Sequence, residues 1–145
     1  EADTLHWEAG SQTGPRSRPV AAAAQAASRT VSVKVGMIDG GVGASVPVQG
    51  QKGFAAAAPH LSDHGSAVAS LLHDHGATRL WVADVYGKDP AGGNASAIAR
   101  ALGWLTANGC QVVTVSLVGP RNALVERAVA AARGKGVVVI AAVGN

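Results

Sequence analysis

With Cys110 as its single cysteine, the chain can form neither an internal disulfide nor a cysteine zinc cluster, and its redox compartment stays open. Its apolar runs are far too short to span a bilayer, and no charged-then-apolar signal segment precedes them. A basic run with interleaved aromatics is missing as well. Arg16, Arg29, Arg79, Arg100, Arg121, Arg127 and Arg133 are scattered, so the net charge of +3 reads as solvated surface and nucleic acid is set aside. Charge itself is sparse, 14% of residues against 48% hydrophobic, which excludes a disordered chain and suits one domain with a real core. The first residue is Glu1 rather than Met, so the chain reads as a segment of something longer.

Residues 1–18 mix Gly, Ser, Pro and charge without periodicity, and 20–28 form a weak Ala-rich helix. The span 1–29 is therefore taken as an amino-terminal arm or linker. From residue 30 the pattern becomes regular. Segments 30–38, 78–85, 111–117 and 137–142 read as strands. Helices are expected from residue 62 or 63, over 95–108 and over 122–133. Residues 42–61, with Pro47, Gly50, Gly53, an Ala run and Pro59, read as a loop. Each strand is a nearly continuous apolar run, and 137–142 is apolar throughout, as a strand covered on both faces would be. Strands alternating with helices predict an open α/β sheet, mostly parallel, with right-handed crossovers and helices on both faces. Ligands in such sheets gather at the carboxyl ends of strands, where Asp39, Ser116 and the pair Gly144-Asn145 fall.

The helix that begins near residue 62 carries Val68, Leu71 and Leu72 at helical spacing, with small residues elsewhere, and reads as buried between other elements. Ser62 or Asp63 is placed to cap it, which puts His64 in the first turn. There the helix dipole disfavours imidazolium, as suits a general base.

Asp39, His64 and Asn145 supply three parts of serine-hydrolase chemistry: a carboxylate to orient an imidazole, an imidazole to take a proton, and an amide to face an oxyanion. In these positions the sequence resembles the subtilisin-like serine proteases. Residues 35–41, ending Ile38-Asp39-Gly40-Gly41, resemble the strand-Asp-Thr/Ser-Gly motif, and 63–69 resemble His-Gly-Thr-His-Val-Ala. Residues 113–119 are similar to the substrate-binding Ser-Leu-Gly-Gly strand, and 141–145 to the Ala-Ala-Gly-Asn segment. The four motifs follow the family order from residue 31 to the last.

The resemblance implies that 30–145 is the amino-terminal part of a subtilisin-like peptidase domain, incomplete at its carboxyl end, in a serine endopeptidase that works through an acyl-enzyme. Asp39 would orient His64, His64 would act as general base, and Asn145 would donate to the oxyanion. Ser116, Leu117, Val118, Gly119, Gly92, Gly93, Ala142 and Gly144 would flank an extended peptide substrate. The resemblance further implies that the remaining carboxyl-terminal part of the domain is a partner, that no cofactor or metal is needed, and that a secreted or cell-envelope location is favoured. Ala67 stands where the motif has a second His, Gly40 where it has Thr or Ser, and Val118 where it has Gly. The Gly-Thr-Ser-Met-Ala segment that carries the nucleophile is absent, and Ser66, Ser70, Ser96 and Ser116 do not match it. The chain alone is therefore expected to be inactive.

Three other readings compete. A catalytically inactive α/β binding module or pseudo-protease fragment follows directly from the missing nucleophile. His60, Asp63, His64, His73, Asp74 and His75 offer imidazole and carboxylate groups to a metal. Gly40-Gly41-Val42-Gly43 suggests a nucleotide loop, without the G-x-G-x-x-G spacing or a strong helix behind it.

Overall fold

The computed structural model describes residues 6–9, 30–89 and 93–142. In chain order the elements begin with β1 (His6–Ala9), β2 (Val35–Asp39), β3 (Gly50–Gly53), α1 (Asp63–Asp74) and β4 (Leu80–Asp84). They continue with β5 (Gly93–Asn94), α2 (Ala95–Ala107), β6 (Val112–Val115), β7 (Leu117–Val118), α3 (Ala123–Gly134) and β8 (Val138–Ala141). Five strands make one sheet in the order β3-β4-β2-β6-β8, and every neighbouring pair in it is parallel. A second, antiparallel sheet of three short strands has the order β5-β1-β7. The helix expected over 20–28 lies outside the described residues.

The two-residue period of a strand sorts the apolar side chains into two cores. From β2 and β4, Val35, Met37, Leu80 and Val82 join Ala69 of α1 on one face. Ile38 and Ala83, with Val113 and Val115 of β6, join Ile98, Leu102 and Leu105 of α2 and Val125 of α3 on the other. Central strands covered on both faces read as unbroken apolar runs for this reason. The crossover from β4 to β6 passes β2, so strand order reverses at β2 and the loops diverge at its carboxyl end. A crevice at that point is the general place for a ligand in an open parallel sheet.

Three expectations about the strands need correction. β8 is not covered on both faces: Val138 and Ile140 are 56% and 54% exposed. It is the outermost strand in the order, and only its half-buried Val139 packs onto the core beneath α2 and α3. Second, the span 42–61 is not all loop. Gly50, Gln51, Lys52 and Gly53 pair with Trp81 to Asp84 as an edge strand. Pairing at an edge needs backbone groups only, and the Trp81 ring lies 2.5 Å from where a Cβ on Gly50 would stand. Glycine there lets the indole cover the strand. β2 is also shorter than expected, because Val31 is exposed and its N–H reaches out to the Gly76 carbonyl at 2.9 Å.

Candidate active site

Asp39 ends β2 at the carboxyl edge of the sheet and is 1% exposed. The His64 Nδ1–H donates to Asp39 Oδ1 at 2.9 Å, and the Gly40 N–H donates to the same oxygen at 2.6 Å. Oδ2 is buried and has no hydrogen-bond partner among the described residues. Burial, helped by the neighbouring Asp84 carboxylate, pushes Asp39 above the ordinary carboxylate range, although the His64 and Gly40 hydrogen bonds pull the other way. With Nδ1 engaged, Nε2 is the ring nitrogen left to exchange a proton.

What brings these two side chains together is a run of close backbone approaches. Ser62 caps α1, its Oγ accepting from the Gly65 N–H at 3.1 Å, so His64 is the second residue of the helix. Before the cap, the Ser62 N–H donates to the Gly41 carbonyl at 2.9 Å, and Leu61 bridges to Gly41 in parallel. A Cβ on Gly65 would stand 2.4 Å from the Gly40 carbonyl oxygen, and one on Gly41 would stand 2.3 Å from the His60 carbonyl oxygen. Only hydrogen fits at either position, so helix and turn press backbone to backbone. At Gly40 the obstacle is Ser62 itself, whose Cβ is 2.5 Å from the Cβ position. The capping serine occupies the volume that a Thr or Ser at residue 40 would need.

This changes the reading of α1. Its buried residues are Gly65 and Ala69, while Leu71 is 60% exposed and Val68 and Leu72 are half-buried. The face against the sheet is the small one, because close approach rather than apolar bulk sets the contact.

Asp84, which the sequence reading passed over, sits opposite Asp39 in the β2–β4 register and is fully buried. Its Oδ1 accepts from the Tyr86 and Gly87 N–H groups, both at 2.9 Å, and its Oδ2 from the His60 N–H at 2.7 Å. It thereby ties the loop leading to α1 to the turn after β4. An Asp at the end of a predicted strand, followed two residues later by Tyr-Gly, was the available signal. A cleft of about 290 Å³ opens beside Asp39, lined also by Ser62, Tyr86 and Lys88 among others.

Ser116 follows β6, and its N–H donates to the Ile38 carbonyl at 3.4 Å, next to Asp39. Leu117, Val118, Gly119 and Ala142 all line one larger groove, about 950 Å³, between β8 and the helical layer. Leu117 and Val118 form β7 and Gly93 begins β5, and these two short strands flank β1 on its two sides. Gly93 fits there because a Cβ would meet the Val85 carbonyl oxygen at 2.8 Å. Gly92, Gly144 and Asn145 lie outside the described residues.

Among the described residues, no group of three His, Cys, Asp or Glu is arranged to hold a metal ion. Nδ1 of His75 and of His60 instead lies within hydrogen-bond distance of the carbonyls of Leu71 and Leu61. No described helix is long and apolar enough to cross a membrane. The Cys110 thiol is buried, and burial pushes it up to about 11, which makes it inert as a nucleophile.

No family model matches the chain. Subtilisin DY of Bacillus licheniformis is 35% identical over 130 residues, covering 79% of this chain and 47% of that protein. Alkaline elastase YaB of Bacillus sp. (strain YaB) is 34% identical over 128 residues, covering 78% of this chain and 34% of that protein. The chain belongs to the subtilisin-like serine protease family. It spans about half the length, or less, of these curated relatives. A solved structure, that of the prenylagaramide maturation protease PagA, shares the fold with a TM-score of 0.63 at 23% identity, over 78% of this chain and 46% of that one. The subtilisin-like chain thus has the expected open α/β sheet, all-parallel in its five main strands.

Proposed function

We propose that the complete protein is a serine endopeptidase and that this chain contributes its Asp39–His64 pair, its oxyanion amide Asn145, and both walls of its peptide groove. The observation that carries the reading is the 2.9 Å hydrogen bond from His64 Nδ1 to a buried carboxylate at the switch point of a parallel sheet. That bond holds the imidazole in the tautomer with Nε2 free as a base, and the carboxylate stabilises the imidazolium that forms.

In the proposed reaction a serine beyond Asn145 gives its hydroxyl proton to His64 Nε2 as its oxygen bonds to the scissile carbonyl carbon. The tetrahedral oxyanion so formed is met by the Asn145 amide N–H. His64 then returns the proton to the departing amine as the C–N bond breaks, leaving an acyl-enzyme, and a water activated by the same nitrogen releases the acid. The chain without that serine is inactive by this route.

The test is made in the complete protein. His64→Ala is expected to abolish labelling by a fluorophosphonate probe. Loss of an oxyanion-hole Asn in subtilisin costs about 10²–10³-fold in kcat, and Asn145→Ala is expected to show a drop of that size with KM little changed. Probe labelling that survives His64→Ala, or an Asn145→Ala defect confined to KM, overturns the assignment.

A further inference from the structure

Asp84 is fully buried, yet no step of the proposed proton transfer uses it. Its carboxylate instead receives three backbone N–H groups, those of Tyr86 and Gly87 on Oδ1 and that of His60 on Oδ2. Both oxygens are therefore satisfied, as a buried charge requires. The Oδ1 bonds close the turn after β4 in the manner of an Asx turn. The Oδ2 bond, at 2.7 Å, reaches 24 residues back along the chain to the loop that feeds α1. That loop is packed backbone to backbone at both ends. No Cβ fits on Gly87, which has φ +59°, against the Ala56 carbonyl, and none fits on Gly41 against the His60 carbonyl. Just past His60, Leu61 bridges to Gly41, and the Ser62 N–H donates to the Gly41 carbonyl before Ser62 caps α1. His64 then stands in the first turn, bonded to Asp39.

We propose that Asp84 is a positioning residue for the catalytic pair: through the His60 N–H it sets where residues 60–62 meet Gly41, and so where α1 presents His64 to Asp39. This rests on the endopeptidase reading of that pair. The charge of Asp84 acts in the opposite sense to its hold on the loop. Its carboxylate helps to keep Asp39 above the ordinary carboxylate range, so removing the charge alone would favour ionised Asp39 and a firmer hold on the imidazolium. Removing the bond to His60 moves the imidazole instead. The two effects have opposite signs on kcat, and a single substitution tells them apart.

The test uses the complete protein with Asp84→Asn. The isosteric amide has one oxygen, which stays where two N–H groups donate, at Tyr86 and Gly87, and its NH₂ then faces the His60 N–H, donor against donor. Hydrogen exchange is expected to speed up at the His60 amide and to stay slow at Tyr86 and Gly87. The His64 Nδ1–H resonance is expected to shift in proton NMR. For a peptide substrate, kcat is expected to fall by on the order of 10²-fold at constant KM, because no groove strand is among the carboxylate's partners. Asp84→Ser is expected to behave alike, since its short hydroxyl can hold the turn but cannot reach His60, and it carries the test if the Asn variant does not fold. A lower unfolding midpoint with the His64 resonance and kcat unchanged would make Asp84 purely structural and overturn the proposal. A kcat above the parent's, the sign of the charge effect, would overturn it too. If the complete protein hydrolyses no peptide, the endopeptidase reading fails, while His60 exchange and the His64 resonance still decide whether Asp84 sets the pair.

Discussion

The His64 and Gly40 hydrogen bonds to Asp39 both fall on Oδ1, and the other carboxylate oxygen is buried without a partner among the described residues. A carboxylate held this way is costly to ionise, which is the physical content of its upward pKa shift. A folded-state pKa above the unfolded value means that the folded chain holds the proton more tightly. Asp39 therefore favours folding below about pH 3.9, the ordinary Asp value, and loses that contribution as pH rises through its raised folded pKa. Asp39→Asn removes this titration. In urea unfolding between pH 4 and pH 7 the variant is expected to show a flatter pH dependence and a higher midpoint at pH 7 than the parent protein. On the proposed endopeptidase reading, the same substitution in the complete protein is expected to lower activity by about 10⁴-fold, the loss known when the orienting acid of a triad becomes an amide and the imidazole tautomer is wrong. An unchanged pH slope would show that Asp39 is not the group paying for its position.

Among the elements, α1 shows how the site is set by approach distance. Glycine inside a helix costs about 1 kcal/mol relative to alanine, so Gly65→Ala would stabilise an isolated helix. Here a methyl group would stand 2.4 Å from the Gly40 carbonyl oxygen, and backbone at both ends of that contact leaves little room to yield. The substitution is expected to lower stability by about 1–3 kcal/mol and to move His64 off Asp39. On the proposed endopeptidase reading, a displacement of about 1 Å in that pair costs on the order of 10²-fold, so kcat/KM of the complete protein should fall at least that far while affinity for a product peptide is kept. The apolar spacing of Val68, Leu71 and Leu72 did mark a helix, and its start at Ser62 was legible from cap chemistry. Its inner face was not legible, because glycine and alanine carry no hydrophobic signal even when they make the tightest contact. β3 escaped notice for a related reason: Gly50-Gln51-Lys52-Gly53 has no strand propensity of its own and exists through its register with β4.

At the scale of the whole chain, β8 is the outermost of the described strands of its sheet, with Val138 and Ile140 on one exposed face. An apolar strand edge of this kind pairs readily with another chain. The 145-residue chain is expected to self-associate reversibly in sedimentation experiments over a range of concentrations. Val138→Lys with Ile140→Lys is expected to return it to monomer without lowering its unfolding midpoint, since neither side chain is in the core. Association unaffected by that pair would place the contact elsewhere. The sequence by itself determined the alternation of strands and helices, and with it the parallel sheet, because periodicity and capping are local. It also marked Asp39 and His64 through motif order. Tertiary structure alone decided that Asp84 stands beside Asp39, that Ser62 fills the volume next to Gly40, and that β1 lies between β5 and β7. Those facts depend on which backbones meet across the fold, and pairings between residues far apart in the chain leave no periodic trace within it.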